Sequence, residues 1–333
     1  MIILDNRNIL YIFVAMTWHI LSTPGKRITE LDYLKSVFIL LMIVFHLVYI
    51  GNHYPVAKAF VYTFHMPGFL IISGYLFNMH KSVRKFAHYI QWIFVPYFLM
   101  ESGYVAMAAV LPIREHIYQF SFMLYVDKLF LHPIGPYWYL HTLMLCGMVS
   151  YLVSRLSRKA SIWRIGLVFG ILVGCSFLGI IERANAFYFC VGLCLRHYGG
   201  SFIKVFHPSC WSVIVVILIT MFMPNSLHKY TFGGMMIVYF MFSFLLGIYY
   251  YLPIKVANLF HFIGRNSLVL LLFSPIFTVL AKLFQPYLLI EPTGMLFMLV
   301  ALTFTVVGCF AIVYLLQWLH LVRFIFGKDT VVR

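Results

Sequence analysis

Long apolar runs separated by short polar connections dominate the chain from residue 34 onward. A helix needs about 20 such residues to cross the hydrocarbon of a bilayer. The pattern predicts spans at 34–51, 56–77, 88–110, 137–154, 162–181, 184–198, 211–224, 230–251, 259–281 and 294–321, the sixth and seventh being short. The longest connection, 112–136, holds an apolar piece at 120–126 that is too short to span, so it is expected to be re-entrant or interfacial. Residues 9–21 are apolar but also short, and no small-residue cleavage site precedes Lys26 and Arg27. They are expected to form either an interfacial helix or an upstream extension from a start codon chosen too early, rather than a signal peptide. The fold class that follows is an all-α, polytopic integral membrane helical bundle of about ten transmembrane helices. Its domains are a cytoplasmic or interfacial segment 1–33, a membrane domain 34–321 and a tail 322–333.

Composition strengthens this reading. The 333 residues are 63% hydrophobic and only 10% charged, against roughly 25% charged in a soluble domain. A net charge of +15 would suggest nucleic acid in a soluble protein. No basic stretch here is long enough for such a surface, so a nucleic-acid partner is excluded and the bilayer is the expected one. What matters in a membrane protein is where Lys and Arg fall. With the N-terminus cytoplasmic, only Lys58, Arg114, Lys128, Arg183, Lys229 and Lys282 of the 24 lie outside. Ten spans with both termini cytoplasmic are consistent with that bias. The six cysteines lie almost entirely in or beside apolar runs, where thiols act as small hydrophobes. Cys190 and Cys194 are one helical turn apart, but no second Cys/His pair completes a zinc site, and no metal is expected.

Ionisable groups in the hydrocarbon are costly and mark function by default. His46 stands eleven residues after Lys35 in the first span, roughly 16 Å along a helix. Lys35 is therefore expected near the cytoplasmic boundary and His46 near mid-membrane. His65 lies in the second span beside Pro67 and Gly68, with Ser73 and Gly74 beyond, and Glu101 is the only acid well inside a predicted span. Each has a plainer reading. Buried imidazoles can bond backbone carbonyls, Lys35 can snorkel to the interface, Glu101 can be a protonated hydrogen-bonding group, and His141 suits interfacial packing. Imidazole nevertheless titrates near neutrality and can take a proton from a hydroxyl nucleophile. No phosphate-binding loop, nucleophile elbow, zinc helix or dinucleotide fingerprint occurs, so no permanently bound cofactor is expected. If the chain is an enzyme, its catalysis must be built from scattered intramembrane residues.

The order of several elements resembles the membrane acyltransferase-3 family. Glu30-Leu31-Asp32-Tyr33-Leu34-Lys35 is followed, after ten residues, by His46, like the family's Arg or Lys, ten residues, then His. Phe64 to Phe77, with its Ser73-Gly74-Tyr75, is similar to the family's second signature. Pro96-Tyr97, Gly135-Pro136-Tyr137-Trp138-Tyr139-Leu140 and Phe262-Ile263-Gly264-Arg265-Asn266-Ser267-Leu268 resemble later ones. Two departures stand out: Ser274-Pro275 replaces a frequent late His, and His88 and Gln91 precede Pro96-Tyr97 where the family often has basic residues.

The resemblance implies a bacterial inner (plasma) membrane enzyme that moves an acyl group, typically acetyl, from acyl-CoA to a hydroxyl. The acceptor would be a surface polysaccharide, glycolipid or other lipid-linked sugar. His46 is then the expected base and His65 a second catalytic or positioning group. Lys35, Arg84, Lys85 and Arg158 are expected near the donor. Ser73 and Gly74 are expected to allow close helix approach, and Glu101 to be positioning. A transporter or flippase for lipid-linked sugar is the alternative, its intramembrane His and Glu serving substrate passage.

Overall fold

The computed structural model describes residues 27–110, 115–157, 161–223 and 225–332. Among them the regular structure is entirely helical. The elements are α1 (Thr29–His46), α2 (Val48–His53), α3 (Pro55–Leu76), α4 (Val83–Val110), α5 (Phe122–Phe130), α6 (Trp138–Leu156), α7 (Ser161–Phe177) and α8 (Arg183–Tyr198). There follow α9 (Phe202–Val205), α10 (Ser212–Phe222), α11 (Phe232–Tyr249), α12 (Ile254–Arg265), α13 (Ser267–Leu280), α14 (Gln285–Leu288), α15 (Met295–Trp318) and α16 (Val322–Phe326). Most of the segment 1–33 lies outside the described residues. The connection expected to be re-entrant or interfacial holds α5, and the tail 322–333 holds α16, which packs against α4.

Each predicted span reappears as helix, but the crossings differ in length. Four single helices, α3, α4, α11 and α15, are long and apolar enough to cross a membrane. A fifth crossing forms if α12 and α13, bent by 79°, count as one. The others fall short for identifiable reasons. α7, α8 and α10 hold 17, 16 and 11 residues, against about 20 for a straight crossing. α1 has 18 residues but carries Glu30, Asp32 and Lys35 in its first two turns. Helix length and composition thus support a membrane protein with four or five clear crossings.

α1 is the hub, packed by α3, α11, α12, α13 and α15. Phe38 at its middle is 1% exposed and meets Phe64, Phe69 and Phe242 edge-on, with ring centroids 5.5 to 6.1 Å apart. Such pairs contribute about 0.5–1.5 kcal/mol each beyond area burial. Two crossings are close because side chains are missing there. On α3 and α8, Gly74 and Gly192 face one another, and a Cβ on either would collide with a backbone carbonyl of the other helix. On α12, a Cβ on Gly264 would run into the Asp32 carbonyl of α1. Small residues at helix crossings let van der Waals packing operate where lipid removes the hydrophobic driving force.

α1 ends at His46 although no Gly or Pro is near. Leu47 takes an extended conformation and its N–H closes onto Ile43 and Val44. It is 1% exposed, held in a small separate core with Ile50, Ala281, Phe297 and Ala301. Tertiary packing therefore makes the break, and it leaves His46 at a helix end.

Candidate active site

A cavity of about 490 Å³ opens where α1 ends. Met42 and His46 of α1 and Ala59 to Met66 of α3 line one side. Pro136 and Trp138 at the start of α6, Glu182 before α8, the loop Leu227 to Tyr230 before α11, and Leu271 of α13 complete it. The end of one helix and the starts of four others, α3, α6, α8 and α11, meet at the same end of the bundle. The two histidines are brought together there. His46 is exposed to the cavity, whereas His65 is 1% exposed, and the Tyr62 ring lies 6.2 Å from the first imidazole and 5.1 Å from the second.

Both imidazoles are held the same way. The Nδ1 of His46 lies 2.7 Å from the Met42 carbonyl, and that of His65 lies 2.7 Å from the Val61 carbonyl. A carbonyl only accepts, so in each ring Nδ1 carries the hydrogen. The neutral ring then has its lone pair on Nε2, the tautomer a general base requires. The His65 Nε2 is buried and has no hydrogen-bond partner among the described residues.

Glu101 stands outside the cavity but supports its wall. It is fully buried in α4, and its Oε1 accepts from the Ile134 N–H at 2.8 Å. The Gly135 N–H donates to Glu115 at 2.7 Å, and the Tyr137 hydroxyl donates to the Leu272 carbonyl at 2.9 Å. These bonds fix the turn that delivers Pro136 and Trp138 to the cavity. Ser73 exchanges a 2.7 Å hydrogen bond with the Tyr139 hydroxyl, one helix away, and Gly74 lies at the α3–α8 crossing. His141 meets the Phe130 carbonyl through Nε2 at 2.8 Å, a packing role. Ser274 is buried in α13 and does not line the cavity.

The basic candidates lie elsewhere. Lys35 is near the other end of α1, with its ammonium 2.8 Å from Asp32. Asp32 also takes Arg27 at 2.5 Å and stands 3.8 Å from Arg265. Burial of Asp32 pushes its carboxyl up, but the hydrogen bond from Arg27 and the charge of Lys35 outweigh it and hold the pKa below the ordinary value. Arg84 and Lys85 are exposed in the first turn of α4, also at the end away from the cavity. Arg158 lies outside the described residues. The structure thus joins His46 with His65 and separates both from Lys35, Arg84 and Lys85.

The family model described as an acyltransferase domain (Acyl_transf_3) matches residues 28–314. The chain belongs to this acyltransferase family. No curated protein and no solved structure matches it. The match begins just before α1 and ends within α15, so the whole cavity of the acyltransferase lies inside it.

Hydropathy reading missed Tyr62, Glu182, His228, Lys229 and Tyr230, all of which line the acyltransferase cavity. Tyr62 looked like one more aromatic in an apolar span, one helical turn from His65. A signal existed for the others. Glu182 and the run His228-Lys229-Tyr230 each stand directly before a span that starts from the same side. Among the described residues, no three His, Cys, Asp or Glu side chains stand together as a metal ligand set.

Proposed function

We propose that this acyltransferase moves an acetyl or similar acyl group from a coenzyme A thioester to a hydroxyl of a glycan or lipid-linked sugar. The observation that carries this reading is the shared cavity of His46 and His65, each imidazole holding its hydrogen on Nδ1. The His46 Nε2 takes the acceptor's hydroxyl proton as that oxygen attacks the thioester carbonyl. The carbon–sulfur bond then breaks, and the imidazolium returns its proton to the departing thiolate. His65, buried in the cavity wall beside Tyr62, is a positioning group for that site.

The two-ended layout supports a division of labour. Lys35, Arg84 and Lys85 gather at one end and the cavity opens at the other. With ten crossings and cytoplasmic termini in a bacterial inner membrane, the basic end faces the cytosol, where the charged donor is available. The cavity end then faces away, toward the acceptor, and the donor's thioester reaches His46 from the basic end along α1, roughly 16 Å. Membership of an acyltransferase family favours transfer over the transporter alternative. The test uses purified protein in detergent, with no gradient, supplied with radiolabelled acetyl-CoA and a methyl glycoside. Acetyl-CoA-dependent labelling of the glycoside is expected; its absence with every acceptor tried, together with uptake of lipid-linked sugar by reconstituted vesicles, would favour transport instead.

A further inference from the structure

A pair of opposite charges at the cavity mouth has no part in the proton transfer just described. Glu182 stands immediately before α8 and Lys229 in the loop before α11, and their carboxylate and ammonium form an ion pair. The ammonium also lies 3.5 Å from the Asn185 amide oxygen, 5.9 Å from the centre of the Trp138 ring and 5.6 Å from that of Tyr230. The Lys229 side chain is only 21% exposed, against 41% for Glu182. Lysine is thus drawn inward over the indole while glutamate stays at the rim.

The loop that carries Lys229 is built to hold it there. The Tyr188 hydroxyl donates to the Lys229 carbonyl at 2.7 Å. The Thr231 hydroxyl donates to the His228 carbonyl at 2.8 Å and accepts from the Gly234 N–H at 3.0 Å. A Cβ on Gly234 would collide with that His228 carbonyl, so the turn depends on glycine. A solvated surface ion pair contributes little and needs no such framework. Here the framework aims an ammonium and a carboxylate into the same cavity as the proposed base.

We infer that Glu182, Lys229 and Trp138 form an acceptor clamp that selects a neutral sugar, an inference that rests on the proposed acyl transfer to a glycan. The flat apolar face of a sugar ring lies against the indole. Glu182 accepts a hydrogen bond from one hydroxyl and Lys229 donates to its neighbour, and this turns a third hydroxyl toward the His46 Nε2. The two charges cancel. A uronate or an amino sugar must therefore break the Glu182–Lys229 pair to gain a pairing of its own, and it binds more weakly than the neutral ring.

The experiment measures transfer from radiolabelled acetyl-CoA by purified protein to three probes: methyl glucoside, methyl glucuronide and cyclohexanol. Methyl glucoside is expected to have the lowest KM, by about tenfold. Glu182→Gln and Lys229→Met are each expected to raise that KM about tenfold while the acetyl-CoA KM stays the same. The exchange Glu182→Lys with Lys229→Glu restores an ion pair without restoring the clamp, so thermal stability is expected to recover and the methyl glucoside KM to stay high. Recovery of both would show a structural pair only and overturn the inference. So would single variants with an unchanged acceptor KM, or a wild-type enzyme that accepts cyclohexanol or methyl glucuronide as readily as methyl glucoside. Failure to acylate any acceptor would instead contradict the proposed reaction beneath it.

Discussion

At the residue scale, the two histidines show how one side chain type is held in two different surroundings. His46 ends a helix and faces a cavity, while His65 is sealed with its Nε2 unpaired among the described residues. An unpaired buried polar atom costs roughly 1–3 kcal/mol, and exchange for an apolar side chain of similar size can be neutral or stabilising. His65→Leu should therefore keep or raise the thermal midpoint in detergent while transfer falls, the pattern of a site that trades stability for function. A lower midpoint with full activity would make His65 a packing residue. Asp32 makes the opposite case. Its carboxyl is held below its ordinary pKa because Arg27 and Lys35 outweigh burial. A depressed carboxylate contributes stability that is fully present above its unfolded pKa, about 3.9, and is lost as pH falls through the folded value. Asp32→Asn should thus destabilise at pH 7, and the difference from wild type should shrink as pH drops below about 4. A difference independent of pH would mean that Asp32 acts through packing alone.

At the element scale, the apolar pattern was a good guide to where helices lie and a poor one to where they stop. The span predicted at 56–77 is α3 within one residue at each end, and that at 294–321 contains α15. The span predicted at 34–51 runs straight through Leu47, because that break comes from a distant core made with Phe297 and Ala301, which leaves no local mark. The 79° bend inside 259–281 was more accessible. Gly264 and Asn266 are stop-and-restart residues, and the Asn266 side chain donates to the Phe262 carbonyl at 2.8 Å at the turn. The α3–α8 crossing gives a direct prediction. Gly74→Leu inserts a side chain where even a Cβ meets the Phe189 carbonyl. The variant should lose its monodisperse peak in size-exclusion chromatography, while Gly103→Leu, at a position with open space around it, should not. Equal behaviour of the two would show that the crossing tolerates separation.

At the scale of the whole molecule, the chain sorts its chemistry to two ends. One gathers Arg27, Lys35 and Arg265 around Asp32, and the other holds the histidine cavity. That separation was half legible. The eleven-residue step from Lys35 to His46 fixed their distance along α1, but the cavity draws on segments from residue 42 to residue 271, and no linear pattern links them. If the basic end is cytosolic, a cysteine placed at Asn225, exposed in the cavity-end loop, should react with a membrane-impermeant maleimide added to intact spheroplasts, in a variant whose six native cysteines are replaced. One placed at Ser82, beside Arg84, should react only after permeabilisation. The reverse result would invert the orientation.

The central claim is that His46 is the base for acyl transfer. Its most direct test is single-turnover transfer from radiolabelled acetyl-CoA by purified His46→Ala protein that remains monodisperse. Loss of a general base lowers such rates by about 10²–10⁴-fold, and a fall in that range is the predicted result. Labelling of the acceptor at the wild-type rate would contradict it.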